Sequence, residues 1–517
     1  MTFDQTNFTQ IDWWIVAVYL LSSIVIGIWA NRYVGNLSDY LVAGRTLRIR
    51  LALATMTGTE LGLVTVMYSS ELGFKQQYAS LYLAVFEFLA LLIVGLSGFV
   101  VYRLRQTEVM TIPEYYQRRY STGVRVVGGV MMVMSGVLNM GLFLKAGAEF
   151  IAAISGLADE FYLKWIMTGL LALVLFYTVL GGMVSVVITD LIQFLVLGVG
   201  ILIVTWFVVD EIGFRGFEQS VTHLNAYVDP TDPDNPSTSK PADGIGPITL
   251  LAQAVVLFIA IMLWPAGASR TLSVKSPEVA QKLYLFSTIP FLTRRALPVL
   301  WGLAAFIWFA NHLDLKYQFE QAIAQDNSTV TSLSAMPFFL AKIIPSGLLG
   351  LVTAAMVAAF MSTHDSYLLC WSGVVTQDIV APIFGPLSQR QRITITRIAI
   401  VVIGAALLFW GLWYEVQTDL WTYMAVTGTV YVAGVFPVVV GGLYWKRGST
   451  VGAYLALLGG LTGLMAMQPV LQRVNALGHE IGFTFKLSNS HMMLFTILVS
   501  LVGYVLGSLL FPDGKKS

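Results

Sequence analysis

Long apolar segments recur along the whole chain, and each is long enough to cross a membrane. About 20 apolar residues are needed for a helix to span the bilayer core. Thirteen windows of this kind occur, at residues 11–31, 50–73, 78–102, 124–155, 162–179, 183–209, 248–269, 296–313, 346–375, 393–414, 420–445, 451–469 and 490–511. The pattern therefore predicts an all-α membrane protein with about thirteen transmembrane helices.

Two of these windows are interrupted near their middle. The second contains TMTGTELG (55–62), and the seventh contains LWPAGAS (263–269). Each interruption opens a set of five spans, 50–209 and 248–445, and the two sets start on opposite sides of the membrane. Interrupted helices at corresponding positions of two inverted repeats point to a transporter's binding site. We favour this interpretation over the alternative that the glycines only allow close helix packing.

The distribution of Lys and Arg predicts the orientation, because these residues are enriched in cytoplasmic loops. With the N-terminus outside, the inner segments hold 21 Lys and Arg residues, five of them in 270–295, and the outer segments hold 8. We expect a multi-pass protein of the cell membrane with a cytoplasmic C-terminus. In order, its parts are an extra N-terminal helix with an inner loop (1–49), the first repeat (50–209), an external loop (210–247), the second repeat (248–445), and two C-terminal helices with a short inner tail (446–517).

Composition narrows the function classes further. Hydrophobic residues make up 56% of the chain and charged residues 11%, against about 25% charged in a soluble domain. The net charge of +1 suggests no nucleic-acid partner, and no obligatory protein partner is evident. A membrane enzyme would need a nucleophile–base pair or a metal triad, and we identify neither in the sequence. A channel would need a continuous polar pore, whereas the polar residues here cluster at the two interrupted helices. A transporter-like sensor would need a signalling domain, and we expect no soluble domain long enough to fold alone.

Ionisable residues inside membrane spans are costly and usually functional. The predicted spans contain Glu60, Glu87, Lys145, Glu149, Asp190, His364 and Asp365. Lys145 and Glu149 are four residues apart, so they either pair on one helix or leave the Lys145 ammonium to meet a solute carboxylate.

The stretch MSTHDSYLL (361–369) places five polar residues inside an apolar span. At 100° per residue, Ala359, Ser362, Thr363 and Ser366 share one arc of about 100°, and Asp365 flanks it. Hydroxyl and carbonyl oxygens can replace the water shell of Na⁺, and the interrupted helix at 55–62 would supply free carbonyls. We favour a cation site over the alternative that these hydroxyls only bond back to carbonyls one turn earlier.

Several segments, taken in order, resemble one known family. They are SDYLVAGRTL (38–47), TIPEYYQRRY (111–120), GGMVSVVITDLIQFLVLGVG (181–200), RTLSVKSPEVAQK (270–282), MSTHDSYLL with TQDI (376–379), and VVVGGLYWKRGSTVGAYLALLGG (438–460). The chain resembles the sodium:solute symporter family, which includes sodium-coupled sugar, proline, pantothenate, sialic acid and iodide carriers. The resemblance implies a core of ten helices in two inverted five-helix repeats, like the bacterial leucine transporter.

The resemblance also implies a Na⁺ site between the first and eighth core helices, with Na⁺ as the co-transported ion and not as a fixed cofactor. Its ligands would be the carbonyls of Ala54, Thr57 and Ala359 and the hydroxyls of Ser362 and Thr363. Some members have a second sodium site, where Asp190, Asp365 and Ser366 would fall. A hydroxyl is usual at position 365, so the aspartate departs from the family pattern. It would either strengthen a second cation site or carry a proton.

For the solute, the resemblance to sodium/galactose carriers implies contacts with Glu87 and Arg294, to which we add Glu60 and Lys145 as charged residues at membrane depth. Leu61 and the stretch Pro265 to Gly267 depart from those carriers. We therefore expect a symporter that imports a small polar solute by alternating access. A sugar is one candidate, and an organic acid or an amino acid is the other.

Overall fold

The computed structural model describes residues 5–30, 45–157, 160–227, 245–324, 330–413, 419–480, 482 and 486–514. Its α-helices are Gln10–Ala30, Ile49–Glu60, Leu63–Gln76, Tyr82–Ser97, Val101–Gln106, Ile112–Arg119, Thr122–Met140, Phe143–Ser155, Glu160–Tyr227, Pro247–Leu263, Pro265–Ser273, Pro277–Asn311, Leu313–Ala324, Ala335–Ile343, Leu348–Val374, Ala381–Phe384, Gln389–Trp413, Leu420–Tyr444, Thr450–Gly460, Gln468–Glu480 and Asn489–Leu510. Short 3₁₀ turns cover Gln77–Leu81, Ser332–Ser334 and Leu461–Ala466, and Val375–Val380 is a π-helix. Within these ranges the β-structure is one isolated bridge, Leu47 to Val274.

The predicted all-α architecture is confirmed, and in the described part of the chain each of the thirteen predicted windows lies mostly on helical residues. By length and apolar composition, nine described helices could cross a membrane, or up to eleven if each of two bent pairs is one span. The lower number arises partly because Leu63–Ser97 counts once and Gln10–Ile26 is short. The count of thirteen stays a prediction.

Core helices are numbered here from the second predicted window. The first is Ile49–Glu60 with Leu63–Gln76, the second Tyr82–Ser97, the third Thr122–Met140 with Phe143–Ser155, the sixth Pro247–Leu263 with Pro265–Ser273, the seventh Pro277–Asn311, the eighth Leu348–Val374, the ninth Gln389–Trp413 and the tenth Leu420–Tyr444. The fourth and fifth both lie in Glu160–Tyr227, which holds two apolar spans, Phe161–Val179 and Val186–Ser220.

The first and sixth core helices are interrupted where the sequence predicts. In the first, Leu61 leaves the helical conformation and Gly62 is extended, with φ −77° and ψ 156°. In the sixth, Trp264 is extended, with φ −62° and ψ 126°, and Pro265 opens the second half. Proline disfavours a helical residue before it and is well suited to the first position of a helix. Both breaks therefore follow from local sequence.

The eighth core helix forms the centre of the molecule. All residues from 352 to 369 are buried. The N-terminus of this helix is capped by Asp12 of the extra helix Gln10–Ala30, whose Oδ1 accepts the amides of Gly347 at 2.7 Å and Gly350 at 2.6 Å. A carboxylate at a helix N-terminus satisfies free amides and is favoured by the helix dipole. The extra helix is thereby fixed to the helix that carries the predicted cation site.

Large apolar side chains cover much of the outer surface. Trp14, Leu96, Leu202, Trp206 and Phe409 are each more than 60% exposed. Such exposure over many helices suits a surface in contact with lipid, where apolar residues face the acyl chains.

Two predicted segments differ in their bounds from the helices of the structure. The predicted external loop 210–247 is helical as far as Tyr227, and residues 228–244 lie outside the described part. The seventh core helix starts at Pro277, nineteen residues before its predicted window, because Ser276 caps it by accepting the amide of Val279. The window began late because the paired arginines at 294–295 lowered the local hydropathy.

The burial of three arginines changes the charge count for the inner segment 270–295. Arg270, Arg294 and Arg295 are buried in the helical core, with 1%, 6% and 1% exposure. Without these three, the inner segments hold 18 Lys and Arg residues against 8 outside. The asymmetry that predicts the orientation persists, and the orientation itself stays a prediction.

Candidate functional site

The first core helix is broken beside the eighth core helix, in the interior of the protein. Its first half stops at Glu60, so the carbonyls of its last turn lack intrahelical partners. Ser362 Oγ donates to the Gly58 carbonyl at 2.9 Å, and Thr363 Oγ1 donates to the Thr59 carbonyl at 3.1 Å. Carbonyls at a helix C-terminus carry partial negative charge. The two hydroxyls and the freed carbonyls therefore form a cluster of neutral oxygens with the chemistry that Na⁺ prefers.

The three Na⁺ ligands predicted on the eighth helix, Ala359, Ser362 and Thr363, lie together. Ser362 and Thr363 both also donate to the Ala359 carbonyl, at 3.2 and 3.0 Å. The back-bonding expected as the alternative is thus present, in addition to the bonds across to the first helix. The two helices approach so closely at Gly62 that any side chain there would overlap with the Thr363 hydroxyl.

The predicted carbonyl ligands on the first helix are not those that face the hydroxyls. Ala54 lies well inside the regular helix Ile49–Glu60, and the Thr57 carbonyl accepts the Leu61 amide at 2.8 Å. The hydroxyls instead reach the last turn, because the break falls at Leu61 and the carbonyls freed by it come after Thr57. The Thr57 side-chain hydroxyl is buried and has no hydrogen-bond partner among the described residues.

Asp190, Asp365 and Ser366, predicted as a second cation site, lie together around a cation of the protein itself. Arg270 Nη2 is 3.3 Å from Asp190 Oδ2 and donates to Ser366 Oγ at 2.5 Å. Asp365 accepts hydrogen bonds from Tyr177 at 2.9 Å and from Ser366 at 3.2 Å. All five residues are at most 2% exposed. The position assigned to a second Na⁺ is therefore next to a buried guanidinium.

A central cavity adjoins the cluster of neutral oxygens. Seven core helices line it: the first, second, third, sixth, seventh, eighth and tenth. Glu60, Glu87 and Arg294, three of the four predicted solute contacts, line it together with Arg295. Thr363 lines it as well, so the candidate ion site and the cavity share a residue.

The charged groups of the cavity neutralise one another. Arg294 and Arg295 each place Nη2 against Glu87 Oε1, at 2.9 and 2.7 Å, and Arg294 Nη1 lies 3.4 Å from Glu60 Oε2. Two cations thus face two carboxylates. Glu87 Oε2 and Arg295 Nη1 are buried and have no hydrogen-bond partner in the described part of the chain. The Nε atoms of Arg294 and Arg295 also lack a partner there, so one acceptor and three donors are left for a neutral polar group.

Aromatic rings supply much of the remaining lining. Arg295 lies between the rings of Tyr68 and Trp421, with its guanidinium carbon 5.0 and 4.6 Å from their centroids. Such cation–π contacts hold the guanidinium in place. Trp264, at the break in the sixth core helix, donates its indole N–H to the Tyr367 hydroxyl at 2.7 Å. Apolar walls with a few fixed polar groups are typical of small-molecule sites.

Lys145, the fourth predicted solute contact, is not one of the residues that line the cavity. Its Nζ is 4.0 Å from Glu149 Oε1, and Glu149 Oε2 accepts the Thr331 hydroxyl at 3.0 Å. The geometry therefore supports pairing along one helix, and it gives a carboxylate solute no contact with Lys145 in this cavity.

Sequence reasoning did not single out Arg270, Arg295 or Tyr177. A signal for Arg295 was present, because Ser276 followed by Pro277 is a typical helix start and places residue 295 about five turns into a helix. Tyr177 carried no local signal, since its bond to Asp365 joins residues 188 positions apart.

Residues 40–463 match the profile of the sodium:solute symporter family. The chain belongs to that family. The symporter is 26% identical to a sodium/mannose cotransporter of Bos taurus, over 88% of this chain and 78% of that protein. It is 25% identical to a sodium/glucose cotransporter of Vibrio parahaemolyticus, over 87% of this chain and 83% of that protein. The predicted family and Na⁺-coupled symport are confirmed.

Two solved structures share the fold of the symporter. A Na⁺-coupled sialic acid symporter in a substrate-bound outward-open state has a TM-score of 0.76 at 16% identity, covering 99% of this chain and 100% of that chain. The nucleobase-cation-symport-1 family transporter Mhp1, closed with bromovinylhydantoin bound, has a TM-score of 0.55 at 11% identity, covering 92% and 95%. These likenesses confirm the predicted leucine-transporter-like fold.

Proposed function

We propose that this symporter imports a neutral polyhydroxylated solute, most simply a sugar, together with Na⁺. The observation that carries the proposal is the charge balance of the central cavity, where Arg294 and Arg295 are neutralised by Glu60 and Glu87. A solute with a net charge would leave one buried charge uncompensated, which is costly. A sugar instead offers hydroxyls for Glu87 Oε2 and Arg295 Nη1 and apolar ring faces for the aromatic lining.

The Na⁺ would bind between the first and eighth core helices. Ser362 and Thr363 would supply hydroxyl oxygens, and Ala359 would supply a carbonyl. The remaining carbonyls would come from the first core helix: Ala54 and Thr57 are the pair implied by the family resemblance, and Gly58 and Thr59 are the pair in contact with the hydroxyls. An ion there would join the broken helix to the eighth helix and so favour one state of the transporter.

Transport would follow from alternating access. Na⁺ enters from outside, the solute binds in the central cavity, and the two repeats move about the bound ligands. Thr363 belongs to the ion site and also lines the cavity, which gives the two ligands a direct physical link. The membrane potential contributes about 2.3 kcal/mol per charge per 100 mV. We place the protein in the cell membrane with its C-terminus in the cytoplasm, on the excess of inner Lys and Arg.

The relatives named above include carriers of mannose and glucose, which agrees with a sugar as solute. The specific alternative is an amino acid, because a zwitterion would also keep the cavity neutral. A simple organic acid is the weaker candidate, since Lys145 lies outside the cavity lining and pairs with Glu149.

The test is a ligand screen with purified protein, followed by uptake into proteoliposomes. Sugars, inositols, amino acids and carboxylates are compared for their effect on the melting temperature, with Na⁺ and with K⁺ in its place. We expect stabilisation by one group of sugars or polyols that is larger in Na⁺, and uptake of the same compounds driven by a Na⁺ gradient. Stabilisation by monocarboxylates alone, or uptake of equal rate in K⁺, would contradict the proposal.

A further inference from the structure

The cluster around Arg270 holds unequal numbers of buried charges. Among the described residues, its carboxylates are Asp190 and Asp365, and its one cation is Arg270. Arg270 forms an ion pair with Asp190, which also accepts the hydroxyl of Thr55 at 2.5 Å. In the described residues, Asp365 accepts hydrogen bonds only from the hydroxyls of Tyr177 and Ser366. With both carboxylates ionised, the cluster therefore has one negative charge that no cation in the described part of the chain pairs.

The candidate Na⁺ site, in contrast, lacks a negative charge. Its proposed ligands are hydroxyl and carbonyl oxygens, so the site has no formal charge of its own to balance a bound cation. Asp365 follows Ser362 by three residues on one helix, and residues at this spacing are neighbours on the helix surface, with about 5–6 Å between their Cβ atoms. The unpaired carboxylate is thus one helical turn from the neutral ion site.

We propose that Asp365 is the counter-charge for a single Na⁺ held by Ser362 and Thr363, and that Arg270 takes the place of a second Na⁺ beside Asp190. The inference rests on the Na⁺ site proposed above and adds its electrostatic partner and its ion number. Asp365 acts across space and is not a ligand, because Tyr177 and Ser366 hold its oxygens. One Na⁺ then neutralises the whole set, and a second cation at Asp190, Asp365 and Ser366 would face the Arg270 guanidinium.

The expected effect follows from Coulomb's law. Two unit charges about 6 Å apart, at an effective dielectric constant of about 20, attract strongly enough to change an equilibrium roughly tenfold to a hundredfold. Asp365→Asn keeps the size of the side chain and an oxygen that can accept the Tyr177 hydroxyl. It removes the charge, so the dissociation constant for Na⁺ should rise by that factor while the number of bound ions stays at one.

The experiment is equilibrium binding of ²²Na⁺ to the purified full-length protein. The wild type should bind one Na⁺ per chain with a Hill coefficient of about one, and Asp365→Asn should bind one Na⁺ roughly tenfold to a hundredfold more weakly. Glu149→Gln is the matched control, because it removes a buried carboxylate of the third core helix that pairs with Lys145. It should keep the wild-type affinity.

The outcomes separate this inference from the proposed function. If the wild type binds no Na⁺, the proposed function fails. If the wild type binds two Na⁺ per chain, or if Asp365→Asn binds Na⁺ as tightly as the wild type, only the present inference is overturned. Should Asp365→Asn fail to fold, the wild-type ion number still tests the inference. A second variant, Asp365→Glu, keeps the charge, so its dissociation constant for Na⁺ should stay within a few-fold of the wild-type value. A loss of Na⁺ affinity as large as that expected for Asp365→Asn would overturn the inference.

Discussion

Removing the Ser362 hydroxyl tests the Na⁺ site most directly. This hydroxyl is fully buried and contacts the Gly58 carbonyl at 2.9 Å and the Ala359 carbonyl at 3.2 Å. In Ser362→Ala a desolvated ion loses one ligand oxygen. Because a charge-assisted contact contributes about 1.5–3 kcal/mol, and each 1.4 kcal/mol is a factor of ten, the Na⁺ concentration for half-maximal uptake should rise about tenfold to a hundredfold.

The assay is solute uptake into proteoliposomes over a range of external Na⁺ concentrations. Coupling between two bound ligands is reciprocal, so Ser362→Ala should also weaken solute binding at low Na⁺ and much less at saturating Na⁺. The melting temperature of each variant is measured in parallel, because the Gly58 carbonyl loses its partner when the hydroxyl is removed.

Ser372→Ala is the matched control, since Ser372 is buried on the same helix and its hydroxyl bonds back to the Leu369 carbonyl at 3.1 Å. Its half-saturating Na⁺ concentration should stay within about twofold of the wild type. His364→Ala is a second control, because the imidazole bonds to the Phe360 carbonyl at 2.8 Å and packs on its ring. Equal shifts in Ser362→Ala and Ser372→Ala, or a shift in His364→Ala alone, would refute the cation interpretation of this helix.

Three further predictions concern residues at a distance from the ion site. Glu87→Gln should weaken solute binding at saturating Na⁺ by about tenfold or more, because it leaves two buried arginines under-compensated; unchanged affinity in a thermal-shift titration would make Glu87 purely structural. Lys145→Met should leave solute affinity unchanged, since Lys145 pairs with Glu149 outside the cavity, and a tenfold loss in the same titration would revive a carboxylate solute. Asp12→Asn should destabilise the protein by about 1–3 kcal/mol, because Gly347 and its neighbours lose a charged cap; a melting temperature equal to that of the wild type would contradict the cap.

The elements that could be predicted from the sequence are those with a local signal. The break at Leu61 and Gly62 follows from glycine within an apolar helix, and the shared face of Ser362 and Thr363 follows from helical periodicity. Which carbonyls meet those hydroxyls depends on the residue at which the helix ends, and helix ends are the least predictable feature of a sequence.

The rest of the site depends on contacts between distant helices. Arg270 meets a carboxylate 80 residues earlier, and Arg295 meets one 208 residues earlier. A hydropathy window gives a buried arginine the same score as an arginine in a loop, so the hydropathy pattern predicts that Arg270 and Arg295 lie in the inner segment. The sequence predicts Lys145 as a solute contact because its charge lies at membrane depth, but the direction of its side chain on the helix depends on packing that the sequence does not show.

The cap that Asp12 forms on the eighth core helix has a consequence for the biosynthesis of the protein. Asp12 and its partner Gly347 are separated by 335 residues, and a ribosome adds roughly 5–20 residues per second. The extra helix therefore enters the membrane roughly 20–70 s before its partner helix has been made. Throughout that interval the Asp12 carboxylate has to be stabilised by water or lipid headgroups at the membrane surface. The extra helix, made long before its partner, thus reaches its final contacts late, and the loss of those contacts would cause a defect of assembly before it caused a defect of transport.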